Sequence, residues 1–202
     1  MEAIKIEQNL YSLFINKIVK YENSNILNLE EKVRLDTLVS EKRKNEFFTV
    51  RMLMRQYIGE NTISYKKNGA PYILDGPPIS ISHSHEYALL ATSETQKIGV
   101  DIEKIQDKIL KLGDKFINDL EFMLLRKNNT ELTPENLTKI WCSKEAMYKM
   151  CDNDKLSIKN DLIIELLNSN QATCRIESEI SEEIYNIDLI SLENYIIAVT
   201  IK

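Results

Sequence analysis

Apolar residues recur along this 202-residue chain with two different spacings, and the spacings predict both helices and strands. In segments 29–39 and 40–58 the apolar positions fall three or four residues apart, as on one face of a helix, and Ser40 can cap the second of these helices. Shorter runs rich in Ile, Val, Leu and Tyr are typical of strands. These runs are expected at 62–67, 71–74, 79–82, 87–92 and 97–102.

The second half of the sequence predicts helices followed by strands. Helices are expected at about 105–112 and 114–127. A longer helix should begin at Pro134, because Thr133 is a capping residue and proline suits the first helical position. Strand-like runs follow at 161–167, 172–176, 183–190 and 194–201, of which the last is nearly all apolar and is expected inside a sheet. Residues 3–19 predict a strand and then a short helix or a second strand.

Composition narrows the class of protein without identifying it. Apolar residues make up 43% and charged residues 28%, as in ordinary soluble domains. The net charge of −5 gives no overall basic surface of the kind that nucleic-acid binders carry. Three cysteines without metal-site spacing favour a reducing cytosol. No signal peptide or membrane-spanning run is present, so we expect a cytoplasmic protein without a membrane partner.

Two segments carry the clearest chemistry. In the first, Gly-Val-Asp-Ile-Glu at the end of an apolar run, Asp101 and Glu103 project from one face of a predicted strand. In the second, a predicted helix, Trp141, Glu145 and Lys149 form one stripe. Three carboxylates and a lysine suit Mg²⁺ and a phosphate group. Either segment alone is more often a solvated strand edge or an ordinary helix surface, and their combination favours a site.

Two weaker motifs precede these segments. Ser82 and His83, in an Ile-Ser-His-Ser run, offer a hydroxyl and an imidazole to phosphate oxygens, although such a run can also be an ordinary strand end. Asn68 and Gly69 lie between two strand-like runs and predict a hairpin.

Together, in this order, the four motifs resemble those of the 4'-phosphopantetheinyl transferases of the surfactin-synthetase-activating type. The resemblance spans about residues 40–160 and rests on Gly69-Ala70-Pro71, Ile81-Ser82-His83-Ser84, Gly99-Val100-Asp101-Ile102-Glu103 and the Trp-x-x-Lys-Glu-Ala-x-x-Lys helix that ends at Lys149. Many relatives carry lysine where this chain has Ala70, and Lys66 and Lys67 are near enough in sequence to substitute for it.

The resemblance implies an α+β fold with two similar α/β halves related by pseudo-twofold symmetry. The halves would be residues 1–102, for the nucleotide end of coenzyme A, and 103–202, for the metal helix and carrier docking. The active site would lie in the cleft between them. The implied enzyme is a transferase that moves the 4'-phosphopantetheine arm of coenzyme A to a serine of an apo acyl- or peptidyl-carrier protein and releases 3',5'-ADP. The chain's length suggests the monomeric class.

The resemblance also implies roles at the pyrophosphate of coenzyme A. Asp101, Glu103 and Glu145 would hold Mg²⁺, and Lys149 would contact a phosphate oxygen or protonate the leaving group. Lys144 lies next to Glu145 in sequence and is a second candidate for a phosphate contact.

At the nucleotide end, His83 and Ser82 would bind the 3'-phosphate, and Pro71 belongs to the coenzyme-binding Gly-Ala-Pro motif. A basic cluster on the second predicted helix either joins them or forms a solvated helix face; it comprises Lys42, Arg43 and Arg51.

The base that activates the carrier serine has two candidates. Glu145 could act directly or through a metal-bound water, and Glu121 matches an acidic position in relatives. A carboxylate bound to a cation has a lowered pKa and is a weak base, which favours Glu121 or a water. Trp141 is expected mainly to fill the core.

Two other classes of protein fit parts of the pattern. One is an unrelated Mg²⁺-dependent phosphohydrolase, against which the order of the four motifs argues. The other is a carrier-binding protein without activity, which would have no use for a complete set of metal ligands. The sequence leaves open whether the carrier serves fatty acid, polyketide, nonribosomal peptide or siderophore synthesis, and whether Mg²⁺ or Mn²⁺ is preferred.

Overall fold

The computed structural model describes residues 3–22, 25–60, 62–177 and 182–202. The chain divides into two compact units, Met1–Gln96 and Lys97–Lys202. The boundary expected after residue 102 cuts through a strand, whereas the observed division falls before that strand. The reason is that the strand hydrogen-bonds along its length to the last strand of the chain and so belongs to the second unit.

The first unit contains an antiparallel four-stranded sheet and a separate two-stranded hairpin. Its strands are β1 (Ile4–Glu7), β2 (Tyr11–Lys17), β3 (Ile63–Tyr65), β4 (Pro71–Ile73), β5 (Ile79–Ser84) and β6 (Tyr87–Ser93). The sheet has the order β1-β2-β6-β5, and β3 pairs with β4. The hairpin predicted at Asn68 and Gly69 is confirmed, and Gly69 has a φ of +86°, which glycine adopts readily. Residues 3–19 form two strands, the second of the two alternatives.

Two helices accompany this sheet, α1 (Leu29–Asp36) and α2 (Glu41–Tyr57). The predicted cap Ser40 is confirmed, because its hydroxyl accepts a hydrogen bond from the backbone N–H of Arg43 at 3.3 Å. Helix α2 packs on β2 and β6 and buries one apolar face in the core of the unit. That face contributes Val50, Leu53 and Met54.

The second unit is built on a five-stranded antiparallel sheet. Its strands are β7 (Ile98–Lys104), β8 (Leu162–Leu167), β9 (Gln171–Glu177), β10 (Glu182–Leu192) and β11 (Tyr195–Ile201), in the order β7-β11-β10-β9-β8. The final strand lies inside the sheet, as its apolar run predicts, and its residues from Tyr195 to Thr200 are buried.

The helices of the second unit depart from prediction at two points. The segment expected as a helix at about 105–112 forms only a short 3₁₀ turn. The helices are α3 (Gly113–Phe116), α4 (Asp119–Lys127) and α5 (Pro134–Cys151), preceded by the 3₁₀ turn at Asp107–Lys111. The segment expected as one helix over 114–127 is interrupted, because Asn118 accepts a hydrogen bond from the N–H of Glu121 at 2.8 Å and so begins α4 afresh. Helix α5 begins after its predicted cap, Thr133, and packs on β7, β11 and β8.

Each unit combines helices with an antiparallel sheet, so the α+β class is confirmed. The twofold relation between the halves and the cleft between them stay predictions. None of the helices in the described part of the chain has both the length and the apolar composition that a bilayer-spanning helix needs.

Candidate active site

Helix α5 and strand β7 approach each other closely at Gly99. A Cβ atom on Gly99 would lie 2.0 Å from the carbonyl oxygen of Ala146 and 2.7 Å from the backbone nitrogen of Met150. No larger residue fits there without moving the helix. The absence of a side chain therefore sets the spacing at which Glu145 and Lys149 on the helix face the strand.

Lys149 contacts the strand directly. Its Nζ donates hydrogen bonds to Oδ1 of Asp101 at 2.8 Å and to the carbonyl of Val100 at 3.1 Å. The side chain of Asp101 is only 6% exposed. Burial would lower the pKa of Lys149, but Asp101 and Glu145 outweigh it and raise that pKa. The ammonium therefore stays charged and neutralises Asp101.

Trp141 links the same helix to the next carboxylate of the strand. Its Nε1–H donates to Oε1 of Glu103 at 3.4 Å, while its ring packs on Phe116 with centroids 5.3 Å apart. Trp141 is thus only partly buried: it packs against the core of the unit and also contacts a site residue. The helical spacing of Trp141, Glu145 and Lys149 is the sequence signal for this second contact.

The pKa of Glu145 depends on the two carboxylates of the strand. Burial, followed by Asp101 and Glu103, raises the pKa of Glu145, and Lys149 opposes this rise. Carboxylate oxygens are the ligands that Mg²⁺ prefers, so the donor set fits a hard divalent cation in kind. Among the described residues, however, no three His, Cys, Asp or Glu side chains form a ready-made metal site. In this arrangement the positive charge beside Asp101 comes from Lys149.

Lys144 and Glu121 lie elsewhere, in the interior of the second unit. The ammonium of Lys144 donates to Oε2 of Glu121 and to the carbonyl of Phe116, both at 2.6 Å, and Oε1 of Glu121 accepts from the N–H of Ile164 at 2.8 Å. Both side chains are 0% exposed. This corrects the expectations of a phosphate contact for Lys144 and a general base at Glu121, since neither group reaches solvent.

The pKa values of this pair reflect its burial. Desolvation raises the pKa of Glu121, and Lys144 opposes that rise. Desolvation likewise lowers the pKa of Lys144, and Glu121 opposes that change. Each charge therefore depends on the other to remain in the interior.

In the first unit, Arg51 points away from the basic start of its helix. Its guanidinium stacks on Phe47 at 3.6 Å, donates to the hydroxyl of Tyr65 at 3.1 Å and lies 3.6 Å from Glu31. Arg51 is 1% exposed and lines a cavity of about 520 Å³ with Arg34 and Tyr65. The structure thus separates Arg51 from the cluster in which the sequence placed it.

The remaining residues of that cluster converge on a carboxylate that the motifs do not include. The carboxylate of Glu46 lies 3.7 Å from Nζ of Lys42, 3.9 Å from Nε of Arg43 and 3.5 Å from Nδ1 of His83. The spacings of Lys42 and Arg43 from Glu46, four and three residues on one helix, are the sequence signal for this arrangement.

Ser82 and His83 are neighbours on β5, so their side chains project to opposite faces of the sheet. Ser82 is buried at 6% exposure, which corrects the expectation that both side chains bind one phosphate. Pro71 is the first residue of β4 and pairs with Tyr65 in the hairpin.

Comparison with known proteins identifies the family. The sequence model of one family, the 4'-phosphopantetheinyl transferase superfamily, matches residues 97–200, just over half of the chain. The chain belongs to this superfamily. The segment that matches the superfamily covers nearly all of the second unit. It includes the four candidate site residues Asp101, Glu103, Glu145 and Lys149.

Curated relatives carry the same family name. The 4'-phosphopantetheinyl transferase gsp of Aneurinibacillus migulanus is 27% identical over 106 residues, which cover 48% of this chain and 44% of the relative. The 4'-phosphopantetheinyl transferase HetI of Nostoc sp. is 25% identical over 138 residues, 61% of this chain and 58% of the relative. The chain thus spans about half the length of these superfamily relatives.

Proposed function

We propose that this chain transfers the 4'-phosphopantetheine arm of coenzyme A to a serine of an apo carrier protein, releases 3',5'-ADP, and depends on Mg²⁺. The observation that carries the proposal is the hydrogen bond from Lys149 on α5 to Asp101 on β7, next to Glu145, whose pKa responds to Asp101 and Glu103, inside the segment that matches the superfamily. Names of relatives support the same activity. The chain is proposed to act as a monomer in the cytoplasm.

The proposed reaction breaks one phosphoanhydride bond. The serine oxygen attacks the phosphorus on the pantetheine side, the bond to the other phosphate breaks, and the hydroxyl proton passes to a base. Asp101, Glu103 and Glu145 would hold Mg²⁺, which offsets the negative charge of the pyrophosphate. Lys149 would turn from Asp101 to an oxygen of the leaving phosphate and stabilise its charge.

Glu145 is the better candidate for the base. Glu121 is completely buried in an ion pair with Lys144, so a hydroxyl group from solvent cannot reach it. Glu145 is only partly buried, so a hydroxyl group can reach it, but bound Mg²⁺ would lower its pKa, which favours a metal-bound water as the immediate proton acceptor. Glu145 would receive the proton through that water. Lys42, Arg43 and His83 are proposed to meet the nucleotide end of coenzyme A.

Release of 3',5'-ADP from coenzyme A tests this function. The proposal requires release that depends on both an apo carrier and Mg²⁺, with no release in excess chelator. Release without a carrier indicates a phosphohydrolase. Binding of the carrier without release indicates a protein that docks on carriers and has no activity.

A further inference from the structure

Glu46 lies at the centre of the groups proposed for the nucleotide end, and it is almost completely buried. Its side chain is 4% exposed, whereas those of Lys42 and Arg43 are 68% and 65% exposed and that of His83 is 33% exposed. The negative charge of Glu46 therefore lies next to three groups, all of which could otherwise bind an anion.

The carboxylate of Glu46 depends on these neighbours. Its distances to Lys42, Arg43 and His83 range from 3.5 to 3.9 Å, and in the described part of the chain Oε2 of Glu46 has no hydrogen-bond partner. Burial of a carboxylate is costly unless nearby positive charge offsets it. Lys42 and Arg43 therefore supply charge to Glu46, and with His83 neutral the four side chains carry a net charge of only about +1.

We propose that Glu46 is a specificity-determining residue that limits recognition of the 3'-phosphate of coenzyme A. This inference rests on the proposed function for the identity of the substrate. A phosphate monoester that approaches Lys42 and Arg43 must draw them away from Glu46 or bind beside its negative charge. In both cases the 3'-phosphate contributes little binding free energy. The chain therefore binds coenzyme A and 3'-dephospho-coenzyme A with almost equal affinity.

Isothermal titration calorimetry of both nucleotides tests the proposal without requiring turnover. The wild-type chain should bind coenzyme A and 3'-dephospho-coenzyme A with dissociation constants within about threefold of each other, since charge contacts to exposed side chains are weak. Glu46→Gln keeps the shape of the side chain and removes its charge. It should tighten binding of coenzyme A by about three- to tenfold and leave the dephospho compound unchanged.

Glu41→Gln is the matched control. Glu41 lies on the same helix and pairs with Lys44 at 3.6 Å, but it is 76% exposed. This change should alter neither dissociation constant. Thermal melts of both variants check that the fold is retained. Equal changes for both nucleotides in Glu46→Gln, or weaker binding of coenzyme A, would overturn the proposal.

A double-mutant cycle gives a second readout. Lys42→Met should weaken coenzyme A binding by a smaller factor in the wild-type background than in Glu46→Gln, where the ammonium is released to the phosphate. Additive effects would contradict the inference. If the binding data follow these expectations but no carrier is modified, the proposed activity fails and the role of Glu46 stands. If neither nucleotide binds, both proposals fail.

Discussion

The ammonium of Lys149 lies 2.8 Å from Oδ1 of Asp101, so a lysine on α5 supplies the counter-charge of a carboxylate on β7. The proposed function assigns that carboxylate to Mg²⁺. On that proposal, Lys149 and a divalent cation would compete for Asp101 until a substrate phosphate offered Lys149 another partner.

Lys149→Met tests this competition. The change keeps most of the apolar stem and leaves Asp101 buried without the ammonium, so it should lower the free energy of unfolding by about 1–3 kcal/mol. Mg²⁺ should then raise the melting temperature of the variant more than that of the wild type, because the cation replaces the missing charge. Transfer to carrier should fall sharply.

Lys155→Met is the control for this experiment. Lys155 is exposed and lies beyond the end of α5, so its loss should change neither the Mg²⁺ response nor transfer. If Mg²⁺ stabilises the wild type as much as it stabilises Lys149→Met, Lys149 does not compete for the cation site.

Gly99→Ala should disrupt the site through the backbone. The added methyl group would meet the carbonyl of Ala146 at 2.0 Å, so α5 must move away from β7. We expect a loss of about 1–3 kcal/mol of stability, or more, together with most of the transfer activity. Gly113→Ala is the matched control, because its nearest contact is Leu137 Cδ2 at an ordinary 3.8 Å. Equal melting temperatures and rates for the two variants would refute the spacing role of Gly99.

The buried pair of Lys144 and Glu121 should show strong coupling. Lys144→Met or Glu121→Gln alone strands a partner in the interior and should cost about 3–5 kcal/mol, measured by urea unfolding. The double variant removes both charges and should be less destabilised than the sum of the two single changes. Strict additivity would contradict a direct ion pair. A normal transfer rate in the double variant would support a purely structural role.

Glu145→Gln should change the way in which the melting temperature of the chain depends on pH. Because the folded pKa of Glu145 is raised, its contribution to stability is complete below the unfolded value of about 4.3 and is lost as the pH rises through the folded pKa. Glutamine does not titrate. In chelator, the variant should therefore match the wild type in melting temperature near pH 4 and exceed it near neutral pH. A constant difference at all pH values would contradict the raised pKa.

Local signals in the sequence predict the elements of the fold well. Ser40 and Thr133 cap their helices as expected, and the apolar final strand lies inside a sheet. The apolar pattern does not reveal the break at Asn118, because apolar residues on both sides of it continue a helical pattern, while the asparagine side chain supplies a new cap.

The site shows where sequence adjacency misleads. Lys144 and Glu145 are neighbours in the motif, but each helical residue is rotated by about 100° from the last. One side chain therefore enters the core beside Glu121, while the other joins the carboxylates of the strand. Glu46 and His83 lie far apart in sequence, and no sequence motif predicts the contact between them.

The intact mass of apo carrier proteins after incubation with the chain, coenzyme A and Mg²⁺ tests the central claim most directly. The panel should include carriers from fatty acid, polyketide and nonribosomal peptide synthesis. We predict that at least one carrier gains the mass of a single phosphopantetheine arm, and that Asp101→Asn or excess chelator abolishes the gain. Coenzyme A consumption without any carrier gain, or full modification by Asp101→Asn, would contradict the account.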